Sequence, residues 1–346
     1  MLTQQLTLDL IETFLPEGYT ARGATIDDLE AAVAMFNAYS QALYGKDEVN
    51  VIDYRMEWET PILDLSNDVH LVFAPDGSLV GCMEFWDLTE PHVRYITWGR
   101  VQPDHADRGI GTYLIRWAEE RAQRSLPHAA EGARVTLTNW ANDSDQRVKP
   151  LFEKCGWDLV RKSYRMEIEL TKPPAEPVWP EGVRLKLFVP GQDDRAVVET
   201  DRAAFQDHWG YVEMPFEQEL ERFRYFMTKH DFDPTLYLLA LDGDRVAGIC
   251  LNQPNAYDDP DCGWVSSLGV RREYRQRGLG HAFLQHSFAD FYRRGKRKVG
   301  LGVDAYNLTG ALRLYERAGM HAARVNVTFE KELRAGVDLS TQSLEK

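Results

Sequence analysis

A short segment rich in glycine and arginine carries the clearest chemical signal in this sequence. It reads Arg275-Gln276-Arg277-Gly278-Leu279-Gly280-His281 and lies between a predicted strand and a predicted helix. Two glycines allow a tight turn and a close approach of a ligand to the backbone. Free amides at the start of a helix, together with the helix dipole, attract an anion. With Arg271 and Arg272 just before it, the segment predicts a pyrophosphate site; its spacing matches neither a GxGxxG loop nor a Walker loop.

The elements that position this loop belong to a chain of ordinary globular composition. Its 346 residues predict two domains, and 44% hydrophobic with 27% charged residues exclude a disordered or fibrous protein. The net charge of −14 argues against nucleic-acid binding, which needs a basic face, and is compatible with a cationic substrate such as an amine. We recognise no run of about 20 apolar residues and no secretory signal, so we expect a cytoplasmic protein with no membrane partner.

The cysteines indicate reduced thiols rather than a metal site or disulfides. They form no CxxC pair and no Cys/His cluster with zinc spacing. Cys250 and Cys262 lie in no motif typical of a nucleophile. We therefore expect no metal and no covalent enzyme intermediate.

The chain repeats itself. The segment from Val101 to Gly111 recurs 169 residues later as Val270 to Gly280, and Phe152-Glu153-Lys154-Cys155-Gly156 recurs as Tyr315-Glu316-Arg317-Ala318-Gly319. We predict two similar domains in tandem, followed by a polar tail that frays. Their predicted bounds are 1–172, 180–335 and, for the tail, 336–346. The proline-rich segment 172–180 predicts an extended linker, and Leu2, Leu6, Leu8 and Leu10 could form an extra strand or arm.

Each repeat shows the same predicted order of elements. A first strand leads to helices, a hairpin with an Asp-Gly turn, a strand ending at the Arg/Gly loop, a helix, a strand, a short helix and a last strand. In the second repeat the predicted elements are 183–188, 193–205, 216–226, 236–241, 246–251, 263–270, 298–303 and 323–330. Mixed strands with helices on both faces indicate an α/β fold.

The second repeat resembles the GNAT superfamily of N-acetyltransferases. Residues 268–280 match its Arg/Gln-x-x-Gly-x-Gly/Ala acetyl-CoA signature with the preceding strand, and residues 303–320 match its Asn…Ala-x-x-Leu-Tyr-Glu-x-x-Gly-Phe segment. With the first repeat, the resemblance covers about residues 16–333 and implies two tandem GNAT-like acyl-CoA N-acyltransferase domains. The arrangement is similar to the two-domain branch that includes mycothiol synthase, but the general-base glutamate expected near Trp264 is missing.

The resemblance implies an acetyl-CoA site in a V between two splayed parallel strands, 263–270 and 298–303. Loop amides would hold the pyrophosphate, and the backbone of Leu268 and Val270 would pair with the pantetheine arm. Tyr315 would protonate the departing thiolate, for which a tyrosine with an ordinary pKa near 10 is suited. The implied cofactor-binding residues are Leu268, Gly269, Val270, Arg275, Gln276, Arg277, Gly278, Leu279, Gly280, His281, Asn307 and Tyr315.

The first repeat departs from this pattern. Ala106 replaces the first signature residue, Asp104 and Asp107 flank the loop and oppose an anion, and Phe152 replaces the tyrosine. We expect this domain to be catalytically inactive, and either to bind acetyl-CoA or only to brace the other domain. A second candidate cofactor site comprises Val101, Arg108, Gly109, Ile110, Gly111 and Thr112.

The general base and the acceptor stay open at this level. Asp304 is the first candidate base, followed by His208 and Glu213, with a water relayed by Ser266 as an alternative. The candidate acceptor-binding residues are His208, Trp209, Tyr257 and Asp258.

The predicted reaction is direct attack of a small-molecule primary amine on acetyl-CoA in a ternary complex. Alternative acceptors are a peptide N-terminal amine or an aminosugar conjugate. A different class of function is a non-catalytic acyl-CoA sensor, against which Tyr315 in its full motif argues. We expect no nucleic-acid partner, and a monomer or homodimer.

Overall fold

The computed structural model describes residues 15–88, 90–307 and 310–342. The chain divides into two compact units. The first comprises the residues up to Arg161 together with Asn326–Leu339, and the second comprises Lys162–Val325 together with the residues from Ser340 on. The N-terminal leucines for which an extra strand or arm is predicted lie outside the described residues.

The first half of the chain forms six strands and five helices within the described residues. They are β1 Thr20–Gly23, α1 Leu29–Tyr44, α2 Val51–Trp58, α3 Leu65–Asp68, β2 Val69–Phe73, β3 Leu79–Trp86, β4 Arg94–Val101, α4 Ile110–Ser125, β5 Val135–Asn142, α5 Val148–Lys154 and β6 Asp158–Glu169.

The second half repeats this order. Its elements are β7 Val183–Leu187, α6 Asp194–Phe205, α7 Phe216–Phe226, β8 Tyr237–Asp242, β9 Arg245–Gln253, β10 Cys262–Val270, α8 Leu279–Arg293, β11 Lys298–Asp304, α9 Ala311–Arg317 and β12 His321–Arg334. The predicted elements of this repeat agree with these bounds within two residues, except that β12 is longer. None of the helices in the described ranges is long and apolar enough to cross a bilayer.

Each unit contains one mixed six-stranded sheet. The order is β1-β2-β3-β4-β5-β12 in the first unit and β6-β11-β10-β9-β8-β7 in the second. Neighbouring strands are antiparallel except for β4 with β5 and β10 with β11, which are parallel. The predicted mixed α/β fold is therefore confirmed.

The last strand of each sheet comes from the other repeat. β6 pairs with β11 through Ser163–Glu169, and β12 pairs with β5 from Asn326 on. The compact units consequently differ from the repeat bounds 1–172 and 180–335. The proline-rich segment forms no helix or strand, but it lies inside the second unit, where Trp179 packs on Phe283 with ring centroids 5.2 Å apart. It is not a linker between the compact units.

In the second unit the sheet lies between α6 and α8. A Cβ built on Gly248 would meet Phe283 of α8, whereas one on Gly269 would meet Ala204 of α6. Gly248 pairs with Val270, and successive residues of a strand point to opposite faces. The two helices therefore cover opposite faces, and a buried apolar cluster that includes Phe283, Leu239 and Val299 fills this unit.

Candidate active site

The second unit contains a cleft of about 1020 Å³ between β10, the loop after it, and α9. Most of the residues predicted to bind the cofactor line it together. They are Leu268, Gly269, Val270, Arg275, Gln276, Gly278, Leu279, Gly280, His281 and Tyr315. Arg277 and Asn307 are not among the lining residues, and His208 is the lining residue that was predicted for the acceptor side.

The two parallel strands at the centre of this sheet separate along their length. Their pairing ends where Val265 lies opposite Leu301, although β10 continues to Val270 and β11 to Asp304. We call this end of the pairing the divergence point. Beyond it, the facing backbone edges of the two strands have no ladder between them, so an extended ligand can insert there.

The free edge of β10 presents the main chain of Leu268 and Val270. Arg271 donates its N–H to Ala247 of β9 at 3.0 Å. Because main-chain groups alternate in direction along an antiparallel pair, those of Leu268 and Val270 point away from β9, toward the opening. These are the two residues predicted to pair with a pantetheine arm.

A β-bulge marks the divergence point. Val265 pairs with Asn252 and Ser267 with Leu251, so Ser266 is an extra residue without a partner on β9. In the first unit, β3 and β4 pair without interruption from Gly81 with Val101 to Trp86 with Ile96. The sequence contains no signal that distinguishes the two repeats at this point.

The loop after β10 has the conformation of an anion cradle. Gly278, which caps the N-terminus of α8, has φ +92°, and Gln276 has φ +62°. Left-handed residues next to a helix start turn successive N–H groups toward one side. The first unit repeats the conformation, with φ +92° at Gly109 and +58° at Asp107.

Gly280, in the first turn of α8, lies close to α9. A Cβ at this position would lie 2.8 Å from Leu314 of α9. The first unit again shows the same relation, because a Cβ on Gly111 would lie 2.9 Å from Leu151 of α5. A Cβ at either position would push the end of that leucine side chain aside, so the absence of a side chain favours the close packing of both helix pairs.

Arg275 anchors the loop to α6. Its guanidinium lies 2.5 Å from the Asp207 carboxylate and donates to the carbonyl oxygens of Ala204 at 2.8 Å and Val270 at 3.1 Å. Although burial opposes it, hydrogen bonding from Arg275 lowers the pKa of Asp207. Arg275 was predicted to bind the cofactor and lines the cleft, but its charge is neutralised within the protein.

Positive charge for an anion remains elsewhere on the loop. Arg271 does not supply it, because its guanidinium donates to the Val246 carbonyl oxygen at 2.8 Å and to the Thr200 hydroxyl at 3.1 Å. Arg272 and Arg277 are exposed. Arg277 lies over the ring of Tyr274 at 5.4 Å. These two side chains can reach solvent-borne phosphate beside the cradle.

Replacing Arg275 with alanine is expected to destabilise the chain by about 2–3 kcal/mol, because a half-buried carboxylate loses its charged partner. The pair stabilises the fold above the ordinary pKa of Asp207, and this contribution disappears as pH falls below about 4. Urea unfolding of both proteins between pH 3 and pH 7 measures the difference. Arg277→Ala, two residues away and exposed, is the control and should change stability by less than about 0.5 kcal/mol. Equal effects of the two variants would contradict the anchoring role.

Tyr315 lies in α9 with its side chain at the cleft. The residue is only 7% exposed, and its hydroxyl makes no hydrogen bond to any residue in the described part of the chain. Burial raises its pKa well above the ordinary value of 10.0. The phenol therefore stays protonated at neutral pH and has its proton available.

In the first unit, a phenylalanine that packs on a neighbouring ring stands in place of the tyrosine. Phe152 stacks on Phe329 with ring centroids 4.6 Å apart. This unit still contains a cavity of about 480 Å³, lined among others by Val101, Gly109, Gly111 and Thr112. Ile110 is buried.

Arg108 donates instead to the Tyr19 hydroxyl and the Asp104 carbonyl oxygen, both at 3.2 Å. Its guanidinium is therefore used within the loop, like that of Arg275.

Asp304 and Asn307 serve the turn that follows β11. Asp304 accepts a hydrogen bond from the Tyr306 N–H at 2.9 Å, and Asn307 accepts one from the Ala311 N–H at 3.3 Å, at the start of α9. Neither residue lines the cleft. These contacts weigh against Asp304 as the proton acceptor.

The acidic loop before β10 is not a free anionic surface. Asp258 is buried between Arg165 at 2.6 Å and Arg324 at 3.0 Å, and Asp259 pairs with Lys298 at 2.7 Å. Asp258 was predicted to bind the acceptor, but its charge is neutralised by these ion pairs and it does not line the cleft. Tyr257 beside it is 37% exposed.

The loop after α6 is tied to the C-terminal segment. Gly210 donates to the Thr341 carbonyl at 2.7 Å, and Thr341 donates to the Tyr211 carbonyl at 2.9 Å. The Trp209 indole donates to Gln342 at 2.9 Å. The predicted tail 336–346 was expected to fray, but hydrogen bonds hold its described residues, 336–342. Burial lowers the pKa of His208 in this loop, so its imidazole is neutral at pH 7.

Asp201 on α6 is a residue that sequence reasoning missed. It accepts a hydrogen bond from the Ser267 hydroxyl at 2.7 Å, just past the bulge. Burial raises its pKa above the ordinary 3.8, and no cation in the described part of the chain pairs with it. No motif contains Asp201, so only the packing of α6 on β10 reveals this contact.

The cysteine thiols are poorly suited to act as nucleophiles. All four cysteines are free and buried, and burial raises the pKa of Cys250 to about 12 and that of Cys262 to about 11. A thiol that stays protonated is a poor nucleophile. The described residues contain no group of three or more His, Cys, Asp or Glu side chains placed to hold a metal ion.

Comparison with known proteins matches both repeats to one family. The model of the acetyltransferase (GNAT) family matches residues 29–157 and 199–320. The mycothiol acetyltransferase of Streptomyces scabiei is 30% identical over 76% of this chain and 78% of its own length. That of Geodermatophilus obscurus is 31% identical over 75% of this chain and 81% of its own length.

Solved structures show the same architecture. A GCN5-related N-acetyltransferase from Sphaerobacter thermophilus is 36% identical, with a TM-score of 0.80, over 95% of this chain and all of that chain. A tandem GNAT protein from the clavulanic acid biosynthesis pathway has a TM-score of 0.70 at 17% identity, over 92% of this chain and 99% of that chain, which supports the fold alone. The chain therefore belongs to the GNAT acetyltransferase family and is an acetyltransferase with two such domains in tandem.

Proposed function

We propose that the second unit transfers an acetyl group from acetyl-CoA to the primary amine of a small molecule, in a ternary complex. One observation carries the proposal: a separated strand pair, an anion cradle and a buried, protonated tyrosine meet in one cleft. An acyl-CoA needs these three features, because it has a pyrophosphate, an extended amide-containing arm and a thiolate leaving group.

The residues of the cleft fit acetyl-CoA. The amides around Gln276 and Gly278 suit the pyrophosphate, and Arg272 and Arg277 lie beside them. The outward-facing main chain of Leu268 and Val270 suits the amides of the arm. When bound, acetyl-CoA supplies an acetyl group activated as a thioester.

The chain's own residues then have separate tasks. Tyr315 holds a proton at its phenol oxygen and gives it to the departing sulfur, as general acid. The backbone next to the bulge at Ser266 can donate to the thioester oxygen as negative charge develops there. The raised pKa values of Cys250 and Cys262 favour direct transfer over a cysteine-bound intermediate.

The acceptor is proposed only as a class. Relatives named mycothiol acetyltransferase are about 30% identical, which makes an aminosugar conjugate one acceptor to test. Trp264 stands where the resemblance expects a carboxylate, so other small amines belong in the same test. A non-catalytic sensor would have no use for the Tyr315 hydroxyl.

The test measures CoA release with a thiol reagent while acetyl-CoA is offered with ethanolamine, spermidine, glucosamine, lysine and a tripeptide. We expect turnover with at least one amine. Native mass spectrometry counts the acetyl-CoA molecules bound to each chain. One bound molecule supports a single working site in the second unit, and two would also assign a site to the cavity of the first. Binding without turnover on any amine would favour the sensor, and no binding would contradict the proposal.

A further inference from the structure

The divergence point in the second unit carries a pair of polar side chains that neither the motifs nor the turnover chemistry described above uses. Asp201 of α6 and Ser267 of β10 are joined by a 2.7 Å hydrogen bond. Asp201 lies one helical turn before Ala204, which lines the cleft, and Ser267 directly precedes Leu268, which also lines it. The pair is therefore adjacent to the cleft, at the end opposite the anion cradle.

The Asp201 carboxylate is poorly compensated. Its hydrogen-bond partner is a neutral hydroxyl, and it forms no ion pair with a cation in the described part of the chain. Glu219 of α7 is another acid that interacts with it electrostatically, while Arg202 pairs with Glu219 at 3.2 Å. A half-buried carboxylate without a cation is costly. A ligand ammonium group placed beside it would remove this cost.

The first unit provides an internal comparison. At the offset that relates Val101 to Val270, Ser267 corresponds to Trp98. Trp98 stacks on Phe36 of α1 with ring centroids 4.4 Å apart. An aromatic stack thus occupies the place of the acid–hydroxyl pair in the unit that also has Phe152 in place of Tyr315. The hydroxyls of Ser267 and Tyr315 in the second unit are thus both replaced by aromatic rings, those of Trp98 and Phe152, in the first.

We propose that Asp201, positioned by Ser267, binds the ammonium group of the acceptor and takes its proton. This inference rests on the proposed function. Asp201 accepts one proton from the ammonium, and the neutral nitrogen then bonds to the acetyl carbon while the carbon–sulfur bond breaks. The sulfur receives the Tyr315 proton, the nitrogen loses its remaining excess proton, which restores Tyr315, and Asp201 returns its proton to solvent. Two carboxyl-containing candidates of the sequence, Asp304 and Glu213, are not needed for these steps.

The experiment compares the Asp201→Asn variant with the wild type, both as full-length protein, and uses the most active amine of the panel. Asparagine keeps the shape and can still accept from Ser267, so the fold should be retained. We expect kcat/KM for the amine at pH 7 to fall about 100-fold or more, which is the usual contribution of a general base. Acetyl-CoA binding, measured by calorimetry, should stay unchanged. Binding of the amine to the CoA-loaded protein should weaken about 10-fold or more.

A pH profile separates chemistry from structure. Without a base, the variant depends on the free-amine fraction, so its kcat/KM should rise with pH toward the pKa of the amine, near 10 for a lysine-like group. Glu199→Gln removes one charge from the exposed side of the same helix and is the control. Asp304→Asn tests the competing base.

Each result has a clear meaning. If the wild type is active and the kcat/KM of Asp201→Asn lies within about threefold of the wild-type value, the inference is overturned. A loss of kcat/KM that high pH does not restore would also overturn it. A pH-restored loss in Asp304→Asn instead would assign the proton to Asp304. If no amine of the panel makes the wild-type protein release CoA, the proposed function fails, and this inference fails with it.

Discussion

Tyr315→Phe should lower kcat about 10²- to 10⁴-fold, because the departing thiolate loses its proton donor. The substitution removes one oxygen atom that makes no hydrogen bond to the described residues, so packing is preserved. Acetyl-CoA binding should consequently change little, and the loss should appear in kcat. Steady-state CoA release together with calorimetric binding of acetyl-CoA measures both quantities.

The matched control for this variant is Tyr237→Phe. Tyr237 is a buried tyrosine of the same unit and lies outside the cleft. The activity of the Tyr237→Phe variant should therefore equal that of the wild type. A Tyr315→Phe variant that retains more than about a tenth of wild-type kcat would contradict the general-acid role. Because burial raises the pKa of Tyr315 above 10.0, loss of its proton should not limit kcat up to about pH 10.

Gly278→Val should strongly weaken acetyl-CoA binding in the second unit. Gly278 has φ +92° at the N-terminus of α8, a conformation that a β-branched residue adopts only at a cost of about 1–3 kcal/mol. Nothing lies within 4 Å of a Cβ built there, so the effect is backbone strain and not a clash. Relief of that strain turns the loop amides away from the anion, and we expect affinity to fall about 100-fold or more.

The first repeat offers the control for this experiment. Gly109 has the same φ of +92° at the start of α4, so Gly109→Val imposes the same backbone strain on the other unit. It should lower the stability of the chain to a similar extent while leaving turnover within about threefold of wild type. Turnover that survives Gly278→Val but is lost in Gly109→Val would move the working site to the first unit.

The sequence alone determined the fold class, the duplication and the position of the glycine-containing loop after β10. These features depend on local patterns: strand and helix periodicity, the Asp-Gly hairpin turns, and glycines at positions with positive φ. The loop is a clear case, because Gly278 and Gly109 are needed for a backbone shape that the motif already encodes.

Other features depended on contacts between distant parts of the chain. The exchange of β6 and β12 between the repeats followed from which strand edges pair, which no local pattern encodes. The engagement of Arg275 with Asp207 and of Asp258 with Arg165 turned two expected ligand contacts into internal ion pairs.

Asp201 shows most directly what only the tertiary structure decided. In sequence it is one of three acidic residues on an amphipathic helix, 66 residues from Ser267. Only the packing of α6 across β10 brings its carboxylate to the point where the two strands separate. The electrostatic environment of a carboxylate and the groups it can contact are set by that packing, so no sequence pattern identifies Asp201. A glycine needed for a left-handed turn, by contrast, can be identified from its motif.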